Sequence, residues 1–223
     1  MSRSLYLSNS ELIEKSVANN ESELTHTGAL LSLTGNRTGR SPKDRFIVQE
    51  SSTKDKIEWG EVNKPFNSDY FDKLWDKVSA YLDDKDNYVS NVHVGSNKDH
   101  YIPVQIKSEL AWHSLFSKLI FISPESFNDE NKEVWKIVTA ANYVCDPEED
   151  HTNSESCVII NFLRRKVLIA GMKYAGEMKK SMFAVQNFLL PEKGVIQMHS
   201  SANQTTDKRT TIFFGLAGTG KTP

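Results

Sequence analysis

Eight residues near the carboxyl end, Gly215-Leu216-Ala217-Gly218-Thr219-Gly220-Lys221-Thr222, have the types and spacing that a polyphosphate requires. Glycines let consecutive backbone N–H groups turn inward around a phosphate, a lysine reaches the outer phosphates, and a threonine hydroxyl can ligate Mg²⁺. Thr210 to Phe214 runs straight into this loop and reads as a buried strand, the order the motif needs. A helix normally follows and completes the anion site with its free N–H groups and dipole. Only Pro223 stands after Thr222, and it biases Thr222 away from helical dihedrals, so the chain reads as a fragment cut at the loop.

Three upstream segments are also dense in anion- or metal-binding groups. Thr38-Gly39-Arg40-Ser41-Pro42-Lys43-Asp44-Arg45 carries two guanidinium groups, Arg40 and Arg45, whose fork matches the two oxygens of a carboxylate; the same turn also reads as a solvated basic loop. Tyr174-Ala175-Gly176-Glu177-Met178-Lys179-Lys180-Ser181 opens an amphipathic helix. Lys179 and Lys180 there oppose the helix dipole, a field that lowers a lysine's pKa and favours a neutral amine for a metal or for proton transfer, unless both amines point to solvent. Met198-His199-Ser200-Ser201-Ala202-Asn203 places His199 at a strand end, as an imidazole ligand or a hydrogen-bonded structural residue.

The elements that must position these groups are legible from periodicity. Phe71, Leu74, Trp75, Val78 and Leu82 form one apolar stripe on a helix from Asp69 to Leu82 with Ser68 as its N-cap. A second helix is expected from Ser108 to about Phe116, running into a strand at Leu119 to Ile122, and a third from about Glu177 to Leu190, ended by Pro191. Strands are expected at Ala29 to Leu33, Arg45 to Gln49, Tyr88 to Val94, Tyr101 to Ile106 and Trp135 to Tyr143. Cys157 to Phe162 and Lys166 to Ala170 form a hairpin, followed later by strands at Gly194 to Ser200 and Thr210 to Phe214. Strands outnumber long helices in mixed order, which implies an α+β or mixed α/β fold with a mixed sheet. The expected division is a substrate-side domain over residues 1–193 and the start of a nucleotide-binding domain over residues 194–223.

Composition narrows the function classes. A net charge of −2 with 25% charged residues gives no reason to expect nucleic acid or an anionic membrane as partner. No apolar run is long enough to cross a bilayer and no signal-peptide core opens the chain, so the cytoplasm is the default location. Cys145 and Cys157 are expected as two free, mostly buried thiols.

The segments TGRSPKDRFIV, WGEVNKP, YAGEMKKSMF, LLPEKGVIQMHSSAN and FFGLAGTGKT occur in that order. Together they resemble ATP-dependent phosphoenolpyruvate carboxykinase from about Glu23 to Thr222, covering less than half of a typical member. The resemblance implies decarboxylation and phosphorylation of oxaloacetate by ATP, giving phosphoenolpyruvate, ADP and CO2, a step of gluconeogenesis. It implies Arg40 on the oxaloacetate carboxylate, Tyr174 beside the substrate or departing CO2, and Lys180 and His199 as ligands of Mn²⁺. Gly215 to Thr222 would hold the ATP phosphates, with Mg²⁺ at Thr222. Two residues depart from the family pattern: Ala217 replaces a usual serine, and Ala175 a usual glycine. The family's acidic metal ligand, phosphate-clamping arginine and adenine pocket fall beyond Pro223, so this chain alone is expected to be inactive. The competing expectation is a non-catalytic remnant that binds an anion or a protein partner; a different phosphate-loop kinase leaves the TGRSPKD and EMKK segments unexplained. Oligomeric state is not legible.

Overall fold

The computed structural model describes residues 3–35, 37–128 and 130–216. Two compact units divide the chain, Met1–Phe183 and Ala184–Pro223. In the first, an eight-stranded mixed sheet is built from β1 (Ser4–Leu5), β4 (Arg45–Val48), β5 (Lys64–Phe66), β6 (Asn87–Val94), β7 (Ile102–Ser108), β8 (Trp135–Ala140), β9 (Cys157–Asn161) and β10 (Lys166–Ala170). Its order is β1-β6-β7-β8-β10-β9-β4-β5. The β6/β7 and β9/β10 pairs are antiparallel and the others parallel, so the mixed α/β expectation is met. A small β2 (Ser22–Leu24)/β3 (Leu30–Ser32) hairpin stands apart from this sheet.

Helices cover both faces. The predicted stripe of α2 (Ser68–Asp83) is buried against Val48, Phe66, Val138, Ala140, Ile159, Leu168 and Ala170, each fully buried apolar side chain contributing roughly 1.5–3 kcal/mol. Asn67 caps α2, one residue ahead of the expected Ser68: its Oδ1 accepts from the N–H groups of Asp69 (2.8 Å) and Tyr70 (3.2 Å). Neighbouring strand residues point to opposite faces. Val138 and Ala140 face α2, so Thr139 faces the other way, where it meets His113 of α3 (Ala111–Ile120). On that side α1 (Asn9–Ala18) and α3 share Leu12, Tyr88, Ala111 and Leu115.

Several boundaries differ from the sequence reading. The expected helix over 108–116 and strand over 119–122 give way to a later, longer helix: Ser108 ends β7, and Leu119 and Ile120 belong to the last turn of α3. Phe121 N–H still donates to Ser117 O at 3.0 Å, and Ile122 alone pairs, as a bridge to His93. β8 stops at Ala140, where Tyr143 N–H turns back to Ala140 O. The expected strand Gly194 to Ser200 begins instead at Ser200, because a 3₁₀ turn over Pro191–Lys193 closes on Gly194 in the left-handed conformation, φ 72°.

Helix α4 (Gly176–Leu189) spans the boundary between the units in sequence. The second unit also contains an antiparallel ribbon of β11 (Ser200–Gln204) and β12 (Thr210–Phe214). Thr210 to Phe214 forms the expected strand but is exposed throughout: among the described residues, no second layer covers either face of the two-stranded ribbon. Cys145 and Cys157 are free and buried, as expected, with their sulfurs 3.9 Å apart.

Candidate functional site

Strand directions bring two of the upstream segments, those of Arg40 and of Tyr174, to one end of the large sheet. β8 and β10 both finish there, with Ala140 opposite Ala170, and the starts of β9 and β4 lie alongside, with Cys157 opposite Ala170 and Arg45 opposite Val158. The turn carrying Arg40 therefore enters the sheet where the Gly171 to Tyr174 segment leaves it. Alternation fixes the face as well: Phe46 and Val48 pack toward α2, so Arg45 points to the other side.

The Arg40 turn is held from below and leaves its guanidinium exposed. Asp44, buried in a 3₁₀ turn over Pro42–Asp44, accepts from Arg37 Nη1 at 2.7 Å and from Ser154 Oγ at 2.8 Å. Arg37 also donates to Ser41 Oγ and to Ser154 Oγ, each at 3.1 Å. Glu177, in the first turn of α4, accepts from the Ser41 backbone N–H at 3.0 Å with Oε1, and its Oε2 lies 3.8 Å from Arg45 Nε. Burial pulls the Arg45 guanidinium below its ordinary value, Glu177 opposes that shift, and Arg40 adds to it, which places both arginines in one field.

Tyr174 sits just ahead of α4, half-buried, with its ring against Gly176. A Cβ on Gly176 would fall 2.6 Å from ring atoms Cε1 and Cζ and 2.8 Å from the hydroxyl oxygen, so a side chain there would displace the ring. Lys180 lies in the second turn of α4, half-buried, its Nζ 5.2 Å from the centroid of the Phe183 ring. The Ala175 that departs from the family pattern is buried.

Sequence reasoning passed over His113, which showed no metal-ligand spacing and gave no other signal. Its ring is fully buried on α3; Nε2 lies 2.8 Å from the carbonyl oxygen of Lys173 and Nδ1 3.2 Å from Thr139 Oγ1. A carbonyl only accepts, so Nε2 carries the proton and Nδ1 accepts from the threonine. Burial pushes this histidine down to about 4. The neutral ring thus pins the residue immediately before Tyr174 to the sheet.

In the second unit, His199 is exposed just ahead of β11, and Gly215 and Leu216 are exposed just after β12. Ala217, Gly218, Thr219, Gly220, Lys221 and Thr222 lie outside the described residues. Among the described residues, no three His, Cys, Asp or Glu side chains gather as a metal cage. No helix there is long and apolar enough to cross a membrane.

Arginine- and lysine-bearing segments thus meet at the end of the sheet where β8 and β10 finish, and further along the chain stands the sequence of a phosphate-loop protein. A family model described as phosphoenolpyruvate carboxykinase matches residues 4–223. Relatives named phosphoenolpyruvate carboxykinase (ATP) include those of Geobacillus kaustophilus (strain HTA426), 49% identical over 218 residues, and Bacillus subtilis (strain 168), 46% identical over 219 residues. Each alignment covers 97% of this chain and 41% of the relative, so the chain spans about two fifths of the length of these proteins. The chain belongs to the phosphoenolpyruvate carboxykinase family, a family of carboxy-lyases.

Proposed function

We propose that this chain provides the oxaloacetate side of an ATP-dependent phosphoenolpyruvate carboxykinase site, together with the start of its nucleotide side, and that it works only within a longer chain. The supporting observation is the junction at Glu177, which joins the Arg40 turn to the helix that follows Tyr174 and carries Lys180. Arg40 grips a carboxylate of oxaloacetate through its exposed fork, and Tyr174 stands beside the substrate. Gly215 to Thr222 cradle the ATP phosphates with backbone N–H groups and the Lys221 amine, a role that Ala217 in place of serine leaves intact.

Two nitrogen donors suit a Mn²⁺ site: the Lys180 amine, which must be unprotonated to donate its lone pair, and the His199 imidazole; Thr222 would serve Mg²⁺. A divalent cation held there would supply positive charge for the negative charge that develops on oxaloacetate as CO2 leaves and the γ-phosphoryl group passes from ATP, with ADP as the leaving group. What the protein's own groups contribute is positioning and charge neutralisation. Its partners in this reading are oxaloacetate and ATP, with neither nucleic acid nor membrane, and its compartment is the cytoplasm.

The test compares the purified 223-residue chain with the protein made from the complete coding frame, assaying ATP-dependent phosphoenolpyruvate formation from oxaloacetate. Activity is expected only in the latter. Activity in the 223-residue chain overturns the need for further residues, and no activity in either, with Mn²⁺ and Mg²⁺ supplied, overturns the carboxykinase reading.

A further inference from the structure

Glu177 is wholly buried at the start of α4, and ionised groups are seldom placed out of water without a partner that requires them. An acid in the first turn is favoured by the helix dipole, but an exposed one would gain the same effect. The two oxygens of Glu177 have separate tasks. Oε1 accepts from the backbone N–H of Ser41, 136 positions away in sequence, the residue that follows Arg40. Among the described residues, Oε2 has no hydrogen-bond partner, and the Arg45 guanidinium stands 3.8 Å away, beyond hydrogen-bond length. The carboxylate therefore holds a main-chain atom of the turn directly and holds Arg45 by charge alone.

Arg40, Arg45 and Glu177 then share one local balance. Arg45 is mostly buried, its side chain 20% exposed, and feels both the carboxylate and the neighbouring Arg40. With the Glu177 side chain absent, the two guanidinium groups would repel with no carboxylate between them, and the Ser41 N–H would lose its acceptor. The turn would still be tied at Asp44 through Arg37 and Ser154 and at the Ser41 hydroxyl through Arg37, but no longer to the start of α4 through the Ser41 main chain.

Resting on the carboxykinase reading for its substrate, we propose that Glu177 is a positioning residue: it fixes the exposed Arg40 fork relative to the start of α4, so that Arg40 and Tyr174 meet the same substrate carboxylate. Glu177 does not touch oxaloacetate in this proposal. It acts through the Ser41 main chain and through the charge it sets against Arg45.

The clamp is read first without catalysis, by amide hydrogen exchange at Ser41 in the 223-residue chain, with the amides of β8 as the internal control for folding. Ser41 should exchange about tenfold or more faster in Glu177→Ala while β8 stays protected, and should remain protected in Glu177→Gln, whose amide oxygen still accepts. The second reading uses the protein made from the complete coding frame. Glu177→Ala should raise KM for oxaloacetate about tenfold or more with KM for ATP unchanged, and Glu177→Gln should recover part of that loss. A merely structural role would lower the thermal midpoint and active fraction at unchanged KM. Unchanged Ser41 exchange in Glu177→Ala, or a loosened Ser41 with unaltered KM for oxaloacetate, overturns the proposal. A wild-type protein without carboxykinase activity instead refutes the functional reading, and Ser41 exchange then decides the clamp alone.

Discussion

At the scale of single residues, the candidate site rests on buried supporting groups. His113 holds the carbonyl of Lys173 and so sets where Tyr174 begins. Its proton balance makes that support pH-dependent with a definite sign. The folded imidazole titrates at about 4 because burial disfavours the cation, against 6.5 in the unfolded chain; the hydrogen bond to the Lys173 carbonyl and the charge of Glu109 pull the value up and the Lys173 ammonium pulls it down, each less than burial does. A depressed histidine pKa means that the unfolded state takes up the proton first as pH falls. The stabilisation is complete above about 6.5 and is lost between 6.5 and about 4, amounting to about 3 kcal/mol in all. An NMR titration of the His113 ring should show a midpoint near 4, and urea unfolding should show the wild type losing more stability than His113→Asn over that interval; a ring titrating at 6 or above refutes the assignment. The residues that could touch a ligand, Arg40, Tyr174 and Lys180, were legible because their types and motif spacing are chemical statements. Arg37, His113 and Glu177 were not legible as supports, since their partners lie 26 to 136 positions away for the last two and as far as Ser154 for the first.

At the scale of elements, agreement with the sequence follows the strength of the local signal. α2 carries a clean apolar stripe and falls within a residue of its expected bounds, and the β9/β10 hairpin lies where alternating apolar runs and a basic turn put it. α3 was misplaced because both its ends lack local marks. Leu110 offers no capping side chain, and an apolar stretch over Leu119 to Ile122 fits a strand as well as a final turn. The missing cap comes from elsewhere in the chain: Glu21, just before β2, accepts from the Trp112 N–H at 3.2 Å. Burial raises the Glu21 carboxyl above its ordinary value, so its charge costs stability as pH rises through the folded value, while its oxygens still satisfy the helix end. Glu21→Ala should therefore cost about 1 kcal/mol in urea unfolding at pH 7. Glu21→Gln, which keeps an acceptor and removes the buried charge, should cost less than Glu21→Ala. Equal losses in the two variants would show that Glu21 does not cap α3.

At the scale of the whole molecule, sheet topology converts distant motifs into neighbours, and this level is invisible to periodicity. Nothing local to TGRSPKD or YAGEMKK says that β4 enters the sheet at the end where β10 leaves it; parallel pairing of β4 with β9 and antiparallel pairing of β9 with β10 decide that. The same level corrects the expectation for Thr210 to Phe214, whose composition is that of a buried strand. In the β11/β12 ribbon its apolar side chains stay in water, with Ile212 51%, Phe213 49% and Phe214 68% exposed. Two-stranded ribbons are marginal alone, and contiguous exposed apolar side chains beside open strand edges favour pairing with another chain. The purified 223-residue chain should therefore self-associate with rising concentration, seen as a sedimentation coefficient that increases across roughly 5 to 200 μM, a range in which weak contacts of this kind populate. Placing charge on the ribbon, as in Ile212→Lys with Phe214→Lys, should return the chain to a monomer without altering the amide protection of β8, because that strand belongs to the other unit. Unchanged association in the double variant would move the adhesive surface elsewhere, and a monomeric wild type at the highest concentration would show that the exposed ribbon does not drive association.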